Sequence, residues 1–184
     1  MGWKRTRTEV LHEGSFVSLR RDEVIRPDGS PGTYEHVSVV DSVRVVAADA
    51  EQHVALVEDD FYLQGRRVLH LPGGGTDGQT PRVAAVRELE EETGLVANVV
   101  RPLGVIDPLP ATTAARTYLF LATGLAPGAV HRDATEAGMT LEWRPLSAVL
   151  NAVENGEITE AGSVVALLLA ERILRSTPPA TLRS

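Results

Sequence analysis

Three glutamates, Glu88, Glu91 and Glu92, fall within five residues on a stretch that reads as helix, shortly after three consecutive glycines, Gly73, Gly74 and Gly75. Glu88 and Glu92 stand one turn apart with Glu91 beside them, so three negative charges share one arc of the helix surface. Like charges at that spacing cost about 0.2–0.5 kcal/mol per pair. They also lie near the C-terminal end, where the helix dipole disfavours anions. A compensating cation is expected. A hard divalent ion such as Mg2+, which takes carboxylate, carbonyl and water oxygens, meets that need. A solvated charged face is the alternative reading of such a cluster.

The elements that must position these carboxylates are marked in the chain. Thr80 suits an N-cap, Pro81 the first helical position and Gly94 the left-handed residue that ends a helix, which predicts a helix from Pro81 to Thr93. Ala85, Val86 and Leu89 fall on one arc and the glutamates on another, so one side packs and the other is acidic. Upstream, Phe16 to Arg26 and Thr33 to Val40 read as a hairpin around the turn residues Pro27, Asp28 and Gly29. Val43 to Ala48 and His53 to Glu58 read as a second strand pair, apolar enough for a buried sheet. Downstream, Val96 to Ile106, Thr117 to Thr123 and Thr140 to Arg144 read as strands, with Trp143 in the core. Ser147 to Asn155 and Glu160 to Leu174 read as helices. The division expected is an N-terminal β extension over 1–42, a main domain over 43–174 and a disordered tail over 175–184.

Bulk composition narrows the function classes. With 184 residues, 43% hydrophobic and 23% charged, the chain holds one ordinary globular domain with a real core. A net charge of −7 argues against a nucleic-acid polymer or an anionic membrane surface as partner, because phosphate-backbone binding needs clustered Lys and Arg. An acidic chain still binds phosphates when a divalent metal bridges them. The absence of cysteine excludes disulfides, thiolate zinc sites and cysteine nucleophiles. No signal peptide or membrane span is seen, so a cytoplasmic location is expected.

Read as one string, Gly73, five residues, Gln79, seven residues and then Arg87-Glu88-Leu89-Glu90-Glu91-Glu92-Thr93-Gly94-Leu95 resembles the Nudix hydrolase signature, G-x5-E-x7-R-E-U-x-E-E-x-G-U with U aliphatic. Each fixed position matches except Gln79, where the family has glutamate. The loop counted from Pro72 is also one residue shorter than the usual form. The resemblance implies a Nudix α/β/α sandwich with a mixed central sheet, here with an N-terminal β-hairpin extension. It implies metal-assisted hydrolysis with Mg2+, or Mn2+ in its place. Glu88 and Glu92 would be metal ligands, Glu91 a third ligand or water-orienting base, and the Gly73 carbonyl a further oxygen ligand. Arg87 would hold loop and helix together, and Gln79 could still hydrogen-bond it without charge-assisted strength.

About forty residues precede the core, an arrangement similar to that of the ADP-ribose and nucleotide-sugar pyrophosphatases, whose extra N-terminal sheet often mediates a homodimer. The substrate implied is a small molecule carrying a nucleoside diphosphate linked to another group. ADP-ribose or a nucleotide sugar leads, hydrolysis of a nucleoside triphosphate is the alternative within the enzyme class, and a non-hydrolytic nucleotide sensor is the alternative outside it. Phe61 with Arg66 and Arg67, placed on a loop, are candidates for stacking on a base and clamping phosphate. Arg116, in a proline-bearing loop, is a further phosphate candidate. Glu136, with Asp133 as substitute, stands where related enzymes supply a general base or metal contact. His70 departs from the pattern, because ADP-ribose hydrolases commonly have an acidic residue two before the signature proline.

Overall fold

The turn residues Asp28 and Ser30 reverse the chain where the sequence places a reversal, the Asp28 carboxylate accepting from the Ser30 amide and hydroxyl at 2.9 and 2.7 Å. The computed structural model describes residues 2–128 and 138–176. Around this turn β2 (Ser18–Ile25) and β3 (Pro31–Ser38) pair antiparallel from Ser18 opposite Ser38 to Ile25 opposite Pro31. A further strand that the sequence reading did not foresee, β1 (Lys4–Glu13), pairs with β2, so the extension is a three-stranded sheet rather than a lone hairpin. All ten residues of β1 are exposed, and its run of charged and Thr residues lacks the alternation that marks a half-buried strand.

The second sheet has six strands, β4 (Ser42–Ala48), β5 (His53–Phe61), β6 (Arg66–His70), β7 (Leu95–Ile106), β8 (Thr117–Pro127) and β9 (Thr140–Pro145). Its order is β6-β5-β4-β8-β7, with β9 attached to β5. β4 and β8 run parallel while the other pairs are antiparallel, which is the mixed sheet expected. Strand periodicity sends alternate residues to opposite faces. Val43, Val45 and Ala47 of β4 pack with Ala84, Ala85 and Leu89 of α1 (Pro81–Thr93), whereas Val46 and Ala48 pack with α2 (Leu146–Glu154) and α3 (Ala161–Leu174). One helix covers one face and two cover the other, giving the α/β/α sandwich. No helix among the described residues is long and apolar enough to cross a membrane.

Three placements differ from expectation. Phe61 ends β5 and Arg66 and Arg67 begin β6, so these residues sit on a hairpin rather than a loop, with Phe61 directly opposite Arg66. Val86 is 38% exposed, and Ala84 takes the packing position in its stead. Trp143 is 40% exposed rather than core, because β9 lies at the margin of the sheet.

Candidate active site

The glycine loop leaves β6 and runs beside β4, where Val45 donates to the Pro72 carbonyl and Val43 to the Gly74 carbonyl, both at 2.9 Å. Gly73, between these anchors, donates its N–H instead to Glu92 Oε2 at 2.9 Å. Its φ of 147° is a conformation L side chains rarely adopt, and a Cβ here would lie 2.1 Å from the Val43 carbonyl oxygen. At Gly74 a Cβ would lie 2.6 Å from Glu88 Oε1. The glycines are thus what lets the loop close down on the helix.

The acidic arc of α1 is therefore not a solvated face. Glu88 and Glu92 are 6% and 3% exposed, held between helix and loop. α1 runs over the span predicted, with Thr80 extended and Gly94 left-handed, although the Thr80 side chain makes no capping hydrogen bond.

Arg87 is the cation among these carboxylates. Its Nη1 meets Glu91 Oε2 at 2.7 Å and its Nη2 meets Glu88 Oε1 at 2.9 Å. Nη2 also donates to the Gly75 carbonyl at 2.8 Å and lies 3.2 Å from Asp77 Oδ2, while Nε donates to Gln79 Oε1 at 3.0 Å. Burial works against the guanidinium charge, but the hydrogen bond and attraction from Glu91 and the attraction of Glu88 outweigh it and raise the Arg87 pKa above its ordinary value. The Gln79 contact is the one anticipated. The Asp77 contact was missed: the Asp77-Gly78 pair signals a turn but not where its carboxylate is aimed.

The donor set suits a hard divalent cation: three carboxylates from one helix face, two of them buried, beside a close-packed backbone loop. Among the described residues no three His, Cys, Asp or Glu side chains form a ready metal-holding group. Arg87 pairs with Glu88 and Glu91, while the Gly73 amide donates to Glu92.

Behind the loop, Leu71 donates its N–H to Ser163 Oγ at 2.9 Å, and that hydroxyl donates to Glu160 Oε2 at 2.7 Å. Glu160 caps α3 through the Gly162 and Ser163 amides and pairs with Arg44 at 3.0 Å. Burial opposes the Glu160 charge, yet Arg44 and the Ser163 and Gly162 hydrogen bonds hold its pKa below the usual carboxylate value. His70, next in the chain to Leu71, is 3% exposed, with Nδ1 2.8 Å from the Leu71 carbonyl and its ring 5.1 Å from that of Phe61. Burial and the nearby Arg44 charge lower its pKa.

The other candidates are placed less centrally. The Arg67 guanidinium crosslinks strands, meeting Glu58 at 2.8 Å and Thr140 at 3.2 Å. Arg66 donates to Thr159 at 3.0 Å. Arg116 lies 3.6 Å from Asp107 within the same exposed loop. Glu136 and its substitute Asp133 lie outside the described residues, as does 177–184 of the expected tail.

The sequence reading also missed a cleft of about 560 Å³ between the N-terminal sheet and the loop before β8, lined by Trp3, Arg5, Tyr34 and His36 with Pro110 to Ala114. Trp3 and Tyr34 meet edge to face at 5.7 Å, and Tyr34 Oη donates to the Ala111 carbonyl at 2.7 Å. His36, Thr113 and Ala114 continue into a smaller hollow that reaches Asp41. The Asp41 carbonyl accepts from Thr76 of the glycine loop at 2.8 Å, which ties one residue of this hollow to that loop.

Comparison with known proteins gives two family matches: the NUDIX domain over residues 39–164, and the nucleoside diphosphate sugar hydrolase N-terminal domain over residues 3–37. The chain is similar to an ADP-ribose pyrophosphatase of Mycobacterium tuberculosis, at 34% identity over 172 residues spanning 90% of this chain and 82% of the relative. It is also similar to a CMP-5'-(N-acetyl-N-hydroxy-3-aminopropyl)phosphonate hydrolase of Streptomyces rubellomurinus, at 27% identity over 169 residues spanning 91% of this chain and 82% of that one. The crystal structure of an ADP compounds hydrolase has the same fold, with a TM-score of 0.83 at 20% identity over 100% of this chain and 98% of that one.

Proposed function

The chain belongs to the Nudix hydrolase family, and from that premise we propose that it is a divalent-metal-dependent pyrophosphohydrolase of nucleoside-diphosphate-linked small molecules, with ADP-ribose or a nucleotide sugar as substrate. The observation that carries the substrate class is the N-terminal sheet, whose residues 3–37 match the N-terminal domain of nucleoside diphosphate sugar hydrolases. The cleft beside that sheet is lined by the aromatic side chains Trp3 and Tyr34, which suit a nucleoside base.

Glu88, Glu92 and Glu91, with the Gly73 carbonyl, would hold Mg2+ or Mn2+. When bound, the ions polarise phosphoryl oxygens and make water a better nucleophile at neutral pH. Water adds to one phosphorus and the bridging anhydride oxygen leaves on the other, so ADP-ribose and water yield AMP and ribose 5-phosphate. Glu91 is a third ligand or the carboxylate that orients this water, and Arg87 keeps the loop against α1. The exposed β1 strand, with Val10 at 51% and Leu11 at 36%, favours a homodimer formed through the N-terminal sheet.

The test is product analysis with Mg2+ and, separately, Mn2+ over ADP-ribose, nucleotide sugars, CMP-linked compounds and nucleoside triphosphates. Metal-dependent AMP release from ADP-ribose is the expected result. Turnover confined to triphosphates would overturn the substrate class.

A further inference from the structure

We propose that Asp77, beside the uncharged Gln79, is the anionic anchor that the glycine-loop turn offers Arg87, and is a positioning residue of the hydrolytic site; the proposal rests on the metal-dependent reading above. Gln79 reaches the guanidinium at 3.0 Å but brings no charge. The other carboxylates on Arg87 are Glu88 at 2.9 Å and Glu91 at 2.7 Å, and both belong to the helix face assigned to the metal. A carboxylate shared with a divalent ion cannot neutralise the arginine to the same degree. Among the described residues Asp77, at 3.2 Å from Nη2, is the ion-pair partner of Arg87 outside that helix.

The loop is shaped for the contact. Asp77 holds φ of 48°, a left-handed conformation uncommon for a residue with a side chain, although Asp and Asn tolerate it best. The Thr76 carbonyl accepts from the Gln79 amide at 2.8 Å and closes the turn around it. Arg87 therefore grips one short turn at three points, the Gly75 carbonyl, Asp77 and Gln79. The Asp77 side chain is 65% exposed while that of Arg87 is 26% exposed. An exposed pair adds little to global stability, so the consequence falls on how firmly Arg87 is held rather than on whether the chain folds.

The experiment compares wild type, Asp77→Asn, Gln79→Glu and the double variant. Asn keeps the side-chain shape and the left-handed preference, so the first change removes charge and leaves the backbone in place. Two readouts are taken: kcat and KM with Mg2+, and exchange of the Arg87 guanidinium N–H protons by 15N NMR in metal-free protein. Asp77→Asn is expected to lower kcat about tenfold, the loss usual for a residue that orients a metal-site group, with KM little changed and faster Arg87 exchange. Gln79→Glu in that background should return kcat to within about threefold of wild type and slow the exchange again, because the carboxylate reappears at the neighbouring anchor point. Unchanged exchange in Asp77→Asn, or failure of Gln79→Glu to rescue either readout, would overturn the proposal. If wild type hydrolyses nothing on the substrate panel, the functional reading fails separately, and the metal-free exchange data still decide whether Asp77 anchors Arg87.

Discussion

Glu92 at 3% exposure accepts a hydrogen bond from the Gly73 amide and stands one helical turn from Glu88 at 6% exposure. Glutamine can accept the same hydrogen bond through its amide oxygen while losing the charge, and it relieves one repulsion between like charges on the helix. Glu92→Gln is therefore expected to fold with unchanged or slightly higher thermal stability and to lose activity by about 100-fold, at the upper end of losses seen around metal sites. Circular dichroism melts beside product assays check both halves, and a variant that fails to fold would show the carboxylate to be structural. Gly73→Ala makes the opposite prediction. With φ of 147° and the Val43 carbonyl oxygen 2.1 Å from the new Cβ, the backbone must move, and a cost of about 3 kcal/mol is expected from urea denaturation. The carboxylates and the glycines were legible in sequence because their chemistry is local. Asp77 was not, since its importance depends on where a left-handed turn aims it.

At the scale of elements, the loop is fastened from behind by α3. Ser163 is fully buried and relays between the Leu71 amide and Glu160, so Ser163→Ala leaves a buried N–H without its acceptor. The cost expected is about 1–3 kcal/mol, measured by denaturation, with lowered activity because Leu71 leads directly into Pro72 and Gly73. His70 beside it gives a pH signature. Burial and Arg44 lower its pKa in the folded protein, so below about pH 6.5, where the unfolded chain takes up the proton and the folded one resists it, stability falls with falling pH. The loss levels off once pH drops under the folded value. Glu160, whose folded pKa is also lowered, acts in a more acidic window: its contribution is present above the ordinary carboxylate range and is lost as pH falls through the folded value. His70→Gln should flatten the melting temperature between about pH 7 and 5 while leaving the more acidic decline intact. α1 was readable from Thr80, Pro81 and Gly94 at its ends and α2 and α3 from their apolar pattern, whereas β6 was not. Its five residues follow an exposed turn and bury Val68, Leu69 and His70 in succession, a pattern without alternation that only the neighbouring β5 makes a strand.

At the scale of the whole molecule, the N-terminal sheet carries apolar surface that this chain alone leaves open. Val10, Leu11, Phe16, Val17 and Val40 are between 36% and 88% exposed, on and around a sheet of which β1 is an edge strand with every residue exposed. An uncovered edge with apolar neighbours invites pairing with another chain. If a second copy covers it, two bodies of charge −7 approach each other, and apolar attraction works against long-range repulsion. Salt then discriminates the origin of the contact. The screening length shortens from about 30 Å at 0.01 M to about 8 Å at 0.15 M, so an apolar interface between like-charged chains should tighten as salt rises, whereas one built on ion pairs should loosen. Light scattering coupled to gel filtration is expected to give twice the 19.8 kDa of one chain, with the dimer fraction at fixed dilution rising from low to moderate salt. Val10→Asp with Leu11→Asp should shift the mass to that of one chain. A mass of one chain for wild type at every salt concentration would instead mean that the N-terminal sheet serves its own domain alone, as a wall of the Trp3 and Tyr34 cleft rather than as a seam between subunits.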